Sequence, residues 1–236
     1  MTTNPLLLRK KNYRQVASIQ IALIFSVLAL GDLFHFGNGE TSSKIVSSVL
    51  LILEAIYLML LLQLSNFLKA DKRMNIVLRI AFLCIVILSV IALNPFFDFV
   101  NNKTPWLIAV HILLCSVECY LIALGLKDIY DDDLQITERL WGSVAMYLLI
   151  ALGWASFFEI FVLINPASLG LTLEPGYQTY SESLYYSLCS ISGTGSVYTN
   201  PSHLIRNLAL IEAVWGVLFL VMLIGRVFSL PGKSEK

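Results

Sequence analysis

The chain has 236 residues, 57% of them hydrophobic and 14% charged, with no formal net charge, and its mean hydropathy is +0.77. A soluble domain carries about 25% charged residues, so this composition excludes an ordinary soluble domain. With no basic excess it also gives no signal for nucleic acid, and an all-α integral membrane protein is expected.

Six stretches are long enough to cross a bilayer, which takes roughly 20 apolar residues per helix. They lie near 15–36, 44–66, 76–97, 105–126, 139–164 and 204–228. The first is too long for a cleaved signal peptide and is followed by GDLFHFGNGE, not by a small-residue cleavage site. Basic residues set the orientation. Arg9, Lys10, Lys11 and Arg14 precede the first span, and Lys69, Lys72, Arg73 and Arg79 separate the second from the third. Lys127 and Arg139 flank the fourth connection, and Arg226, Lys233 and Lys236 close the chain. Only Lys44, Lys103 and Arg206 fall on the other side. Both termini are therefore predicted to be cytoplasmic, and the long connection between spans five and six faces outward.

Polar groups inside the spans are few. Glu54 sits in the second. The fourth, PWLIAVHILLCSVECYLIALGL, has no Arg or Lys, so it lacks the charges of a voltage sensor. It carries His111 and Glu118, seven residues apart and thus on one helix face. These groups form either a proton- or cation-sensing network or plain interhelical pairs. Cys84, Cys115, Cys119 and Cys189 have no metal-ligand spacing and read as core thiols. KDIYDDDLQITER (127–139) reads as a solvated cytoplasmic linker, since consecutive aspartates lack the spacing of a calcium loop. The ten residues after Arg226 leave no room for an appended regulatory domain.

The connection at about 165–203 carries SESLYYSLCSIS. Ser181 is the expected N-cap and Glu182 suits the positive helix end. Leu184, Tyr185, Leu188 and Ile191 recur at helical spacing. Such a helix, roughly ten residues long, cannot span and must be re-entrant. The Gly-rich backbone after it is tolerated at membrane depth only where it is buried in protein or lines water. Its carbonyl end favours a cation.

SLYYSLCSISGTGSVYTNP resembles the pore loop of tetrameric potassium channels, a pore helix followed by a T-V-G-Y-G filter. Ser183, Leu184, Tyr185, Tyr186, Ser187, Ser190, Ser192, Gly195 and Pro201 carry the likeness without gaps. The last span resembles the inner helix of short bacterial six-helix channels through Ile211, Glu212, Ala213, Gly216, Leu218, Phe219, Leu220, Leu223, Ile224 and Arg226. Trp154 and Glu159 resemble that group's outer pore helix, and the likeness covers roughly 139–229. It implies a pore domain over 137–230, preceded by a four-helix region (1–136) and followed by a short cytoplasmic tail (231–236). The family implies a homotetramer in a prokaryotic plasma membrane that conducts potassium. A single broken element also calls for several copies around one axis.

The resemblance places the ion path at Ser192, Gly193, Thr194, Gly195, Ser196 and Val197, and the pore helix at Glu182, Tyr185, Tyr186 and Ser187. Without gaps, T-V-G-Y-G becomes Gly193-Thr194-Gly195-Ser196-Val197. The first hydroxyl is lost, the second glycine becomes a β-branched residue ill-suited to positive φ, and Tyr198 replaces the acid after the filter. A register shifted by two would put Gly193-Thr194-Gly195 on G-Y-G instead. Either way the filter should be wider and softer, passing monovalent cations, K⁺ or Na⁺, with weak discrimination. Glu212 either tunes cation occupancy or contacts a pore-helix hydroxyl or another helix, and Gly216 is a gating hinge or a close-packing site. No cofactor is implied. A non-conducting channel-like subunit is the alternative function, and a transporter, which would show two broken halves, fits less well. SGTGS lacks the Gly-x-Ser-x arrangement of a hydrolase, and no paired intramembrane carboxylates mark a metalloenzyme or aspartyl protease, so no enzyme is expected.

Overall fold

The computed structural model describes residues 5–36, 40–68, 71–97, 99–130, 136–195, 198 and 200–228. These form seven helices and no strand: α1 (Pro5–Phe36), α2 (Glu40–Phe67), α3 (Lys72–Leu93), α4 (Thr104–Ile129), α5 (Ile136–Ile164), α6 (Tyr177–Ser192) and α7 (His203–Phe228). All but α6 contain a segment long and apolar enough to cross a membrane. The chain is an integral membrane protein by length and composition of its helices.

The spans fall where the hydropathy puts them, with one correction. The third was expected to run through 97 but ends at Leu93. Pro95 forces Asn94 out of helical geometry (φ −59°, ψ 121°). The Asn94 side-chain oxygen then accepts from the backbone N–H groups of Phe96 and Phe97, which the broken helix leaves without helical acceptors.

One apolar core draws on every helix, from Tyr13 and Leu23 in α1 through Leu61, Ile85, Leu121 and Leu149 to Leu184 in α6 and Phe219 in α7. A second cluster, Phe158, Val162, Leu169, Leu173, Tyr186 and Ile205, sits where α5, α6 and α7 meet. Tyr13 Oη donates to Asp128 Oδ2 at 2.6 Å, which puts the start of α1 beside the end of α4. At the other end of the bundle, Ser202 N donates to Ser168 O at 2.8 Å, tying the stretch after α5 to the start of α7.

The outer surface is apolar. Ile45, Ile52 and Met59 on α2, and Ile76, Ile80 and Leu83 on α3, are all more than half exposed, as suits a bilayer-facing surface. The cysteines are part of it, contrary to the expectation of core thiols. Cys84 and Cys119 are exposed, and Cys115 and Cys189 are only half-buried. They share the outward faces of their helices with large apolar residues such as Leu83 on α3 and Ile112 on α4.

Candidate functional site

A short helix stands where the sequence led one to expect it, between the fifth and sixth spans, but it starts earlier and is longer. It begins at Tyr177, not Ser181, and runs 16 residues. Gly176, at φ 152°, makes the sharp entry that a side chain would resist. Ser181, the expected N-cap, lies one turn in. Its hydroxyl donates to Val27 O of α1 at 3.4 Å. Glu182 is likewise inside the helix and not in its first turn.

The C-terminal end is closed by its own backbone. Gly193 adopts φ 71°, Gly193 N donates to Ser190 O and Thr194 N to Cys189 O, both at 3.1 Å. This 5→2 and 6→1 pair satisfies carbonyls that would otherwise be orphaned. Ser192 Oγ donates to Leu188 O at 2.6 Å and lies 3.0 Å from Thr194 Oγ1. Ser192, Gly193, Thr194 and Gly195 all lie on the surface of the chain. Ser196 and Val197, also expected in the ion path, fall outside the described residues.

The depth of α6 is set by its partners. Tyr147 Oη, on α5, donates to Ile191 O at 3.1 Å. That places the end of α6 about 25 Å back along α5 from Ile164, at 1.5 Å per residue. On α7 the same carbonyl approaches Gly216, where an added Cβ would fall 2.4 Å from Ile191 O. Gly216 lies about 20 Å into α7. The close approach accounts for the glycine, because only a residue without Cβ lets the two backbones meet. The end of α6 therefore lies against the middle of α5 and α7, not at their ends.

Halfway up, Ser187 joins three helices. Its Oγ lies 2.8 Å from Ala151 O in α5 and 2.5 Å from Glu212 Oε1 in α7. Ser187 and Glu212 are fully buried. One hydroxyl hydrogen cannot serve two acceptors. A proton on Glu212 completes the set, with Glu212 donating to Ser187 and Ser187 to Ala151. A neutral carboxyl also avoids the cost of a charge at this depth.

Aromatic rings clamp the same region. Tyr186 packs edge-on against Phe158 with centroids 5.1 Å apart. Tyr198 lies beside both Tyr185 and Tyr186, with centroids 5.9 and 5.8 Å away. Its hydroxyl donates to Glu182. The Tyr198 side chain, six residues past Ser192, thus reaches a carboxylate about 15 Å back along α6. Burial first, and then the Glu182 carboxylate, hold the Tyr198 phenol above its usual pKa of 10.0.

The intramembrane titratable groups of the earlier helices do not join this site but pair across helices. Ser89 donates to Glu54, Tyr57 donates to Glu118, and His111 Nε2 lies 3.1 Å from Glu159 Oε2. His111 also stacks on Tyr180 of α6, with centroids 5.7 Å apart. Tyr57, Tyr180 and the Glu159–His111 pairing carry no sequence spacing that would reveal them, because the partners come from four different helices. The only available signal was that a carboxyl inside a span needs a partner. Among the described residues, no group of three or more His, Cys, Asp or Glu is arranged to hold a metal ion. No family model, curated protein or solved structure matches the chain.

Proposed function

We propose that the chain is one subunit of a tetrameric cation channel, with α5, α6 and α7 forming its pore unit. The observation that carries this reading is the position of the α6 C-terminus, at mid-length of both flanking spans, at Tyr147 and Gly216. A hydrocarbon core is about 30 Å thick, so on this reading α6 is re-entrant and ends near the bilayer centre. There its carbonyl end offers a partial negative charge to a cation.

Residues 192–195 are on the surface of the single chain. Polar backbone at membrane depth must be buried in protein or line water. Four copies around an axis meet both conditions, and they supply the rings of carbonyls that a cation needs in place of its hydration shell. The apolar flank of α7, with Leu210, Val214, Val217 and Val221 more than half exposed, suits contact with neighbouring copies and lipid. The gapless register begins where α6 stops, whereas the shifted one would draw two filter positions from its last helical turn. In the gapless register the conducting residues are Gly193, Thr194, Gly195, Ser196 and Val197, and monovalent cations pass with little discrimination between K⁺ and Na⁺. Both termini are cytoplasmic by the distribution of basic residues. The shared side of the α1 start and α4 end, at Tyr13 and Asp128, fits that topology.

Native mass measurement in detergent tests the assembly. A species of four 26.4 kDa chains is expected, and a stable monomer would refute the proposal.

A further inference from the structure

A cavity of about 70 Å³ lies between α1, α2, α4, α5 and the first half of α6, bordered by Leu93 of α3, and none of residues 192–195 lines it. At about 10–15 Å³ for each water, it has room for roughly five waters or non-hydrogen atoms of similar size. Most of its wall is apolar, including Leu23, Leu53, Val110 and Leu114, while Glu54, Tyr57, His111, Glu159, Tyr177 and Tyr180 line it as well.

The polar groups are not satisfied among themselves. His111 is 7% exposed and Glu159 1%. His111 Nε2 is within ion-pair distance of Glu159 Oε2, but that oxygen has no partner at hydrogen-bond angles, and neither has His111 Nδ1 or Tyr177 Oη. Buried acceptors in this state are costly. With Nε2 carrying its hydrogen toward Glu159, Nδ1 is a lone-pair acceptor. Tyr177 brings one hydroxyl hydrogen, fewer than the two open acceptors, Glu159 Oε2 and His111 Nδ1, require.

Charge sets the class of donor. No Lys or Arg lines the cavity. The start of α6 at Gly176 contributes only about half a positive charge, and a bound cation would offset the cost of ionising a carboxyl at this depth. Tyr57, Tyr177 and Tyr180 are among its walls, and aromatic rings attract cations over their faces. An ammonium head with three N–H donors answers the unpaired acceptors, and a short alkyl chain fills the leucine-lined remainder. We propose that this cavity binds a small primary alkylammonium, with its head between Glu54, Glu159 and His111. Tyr177 and Tyr180 belong to α6, so an occupant would touch the helix whose other end meets Gly216.

The test is binding of n-butylammonium to the full chain in nanodiscs, against neutral 1-butanol of similar size and against empty nanodiscs. An ion-paired head should favour the amine by at least about tenfold. Glu159→Gln should remove most of that preference and leave butanol binding unchanged, and Glu54→Gln provides an independent variant on another helix should the first misfold. Equal binding of amine and alcohol, no binding above empty nanodiscs, or an amine preference intact in both folded variants would overturn the site. The readout requires no current, so its result is separate from that of the channel proposal.

Discussion

Ser187 Oγ stands 2.5 Å from Glu212 Oε1, so a serine of α6 and a carboxyl of α7 meet in a fully buried contact that also reaches Ala151 of α5. Counting donors puts a proton on Glu212. Glu212→Gln, whose amide can donate to Ser187, should therefore be nearly neutral for stability. Ser187→Ala leaves the buried Glu212 hydroxyl without its acceptor and should cost about 1–3 kcal/mol. Thermal unfolding in detergent measures both. The infrared carbonyl band of a protonated carboxylic acid should fall in Glu212→Gln. A Gln variant as damaging as Ser187→Ala would mean the carboxyl is ionised.

Gly216 and Gly225 make a matched pair on α7. A Cβ on Gly216 runs into Ile191 O, a backbone atom that cannot step aside, while a Cβ on Gly225 meets nothing within 4 Å. Gly216→Ala should destabilise by about 1–3 kcal/mol and lower the tetramer fraction. Gly225→Ala should be neutral or slightly stabilising, as expected for a helical glycine. Equal effects in unfolding and mass measurements would contradict the close packing of α6 on α7.

Gly31 plays the same part between α1 and α6. An added Cβ would fall 2.0 Å from Ser181 Oγ and 2.7 Å from Ser181 Cβ. Gly31→Ala should be destabilising alone and largely rescued by Ser181→Gly, which removes both atoms. The coupling between the two sites, read as a double-mutant cycle of unfolding free energies, should exceed about 0.5 kcal/mol. Strict additivity would contradict the contact.

Much of the fold can be read directly from hydropathy, because a bilayer leaves helices as the way to satisfy the backbone of six apolar stretches. What hydropathy misses is set by single residues. Pro95 ends α3 early through its effect on Asn94, although the apolar run continues. Gly176 starts α6 before Ser181, because backbone geometry outweighs a good capping residue that has found a partner in Val27. Within the site, Ser187 and Glu212 were each conspicuous, but only the packing of three helices identifies them as partners. The pairing of His111 with Glu159 is equally invisible to spacing, since the two belong to different helices.

Tyr198 and Glu182 give a pH dependence with a definite sign. The phenol is held above its ordinary pKa of 10.0, so its contribution is fully present below about pH 10 and is lost as pH rises from there. Tyr198→Phe should cost about 1 kcal/mol near neutrality. The gap in unfolding midpoint between the two proteins should then narrow above pH 10. A gap that stays constant to high pH would mean that the hydroxyl does not make this bond.

The most direct test of the channel is a planar-bilayer recording of the purified protein with Na⁺ on one side and K⁺ on the other. Cation currents that reverse near zero potential are expected, from a pore that selects charge but hardly distinguishes the two ions. A strong potassium preference would contradict the softened filter, and anion currents or no current at all would contradict the cation channel itself.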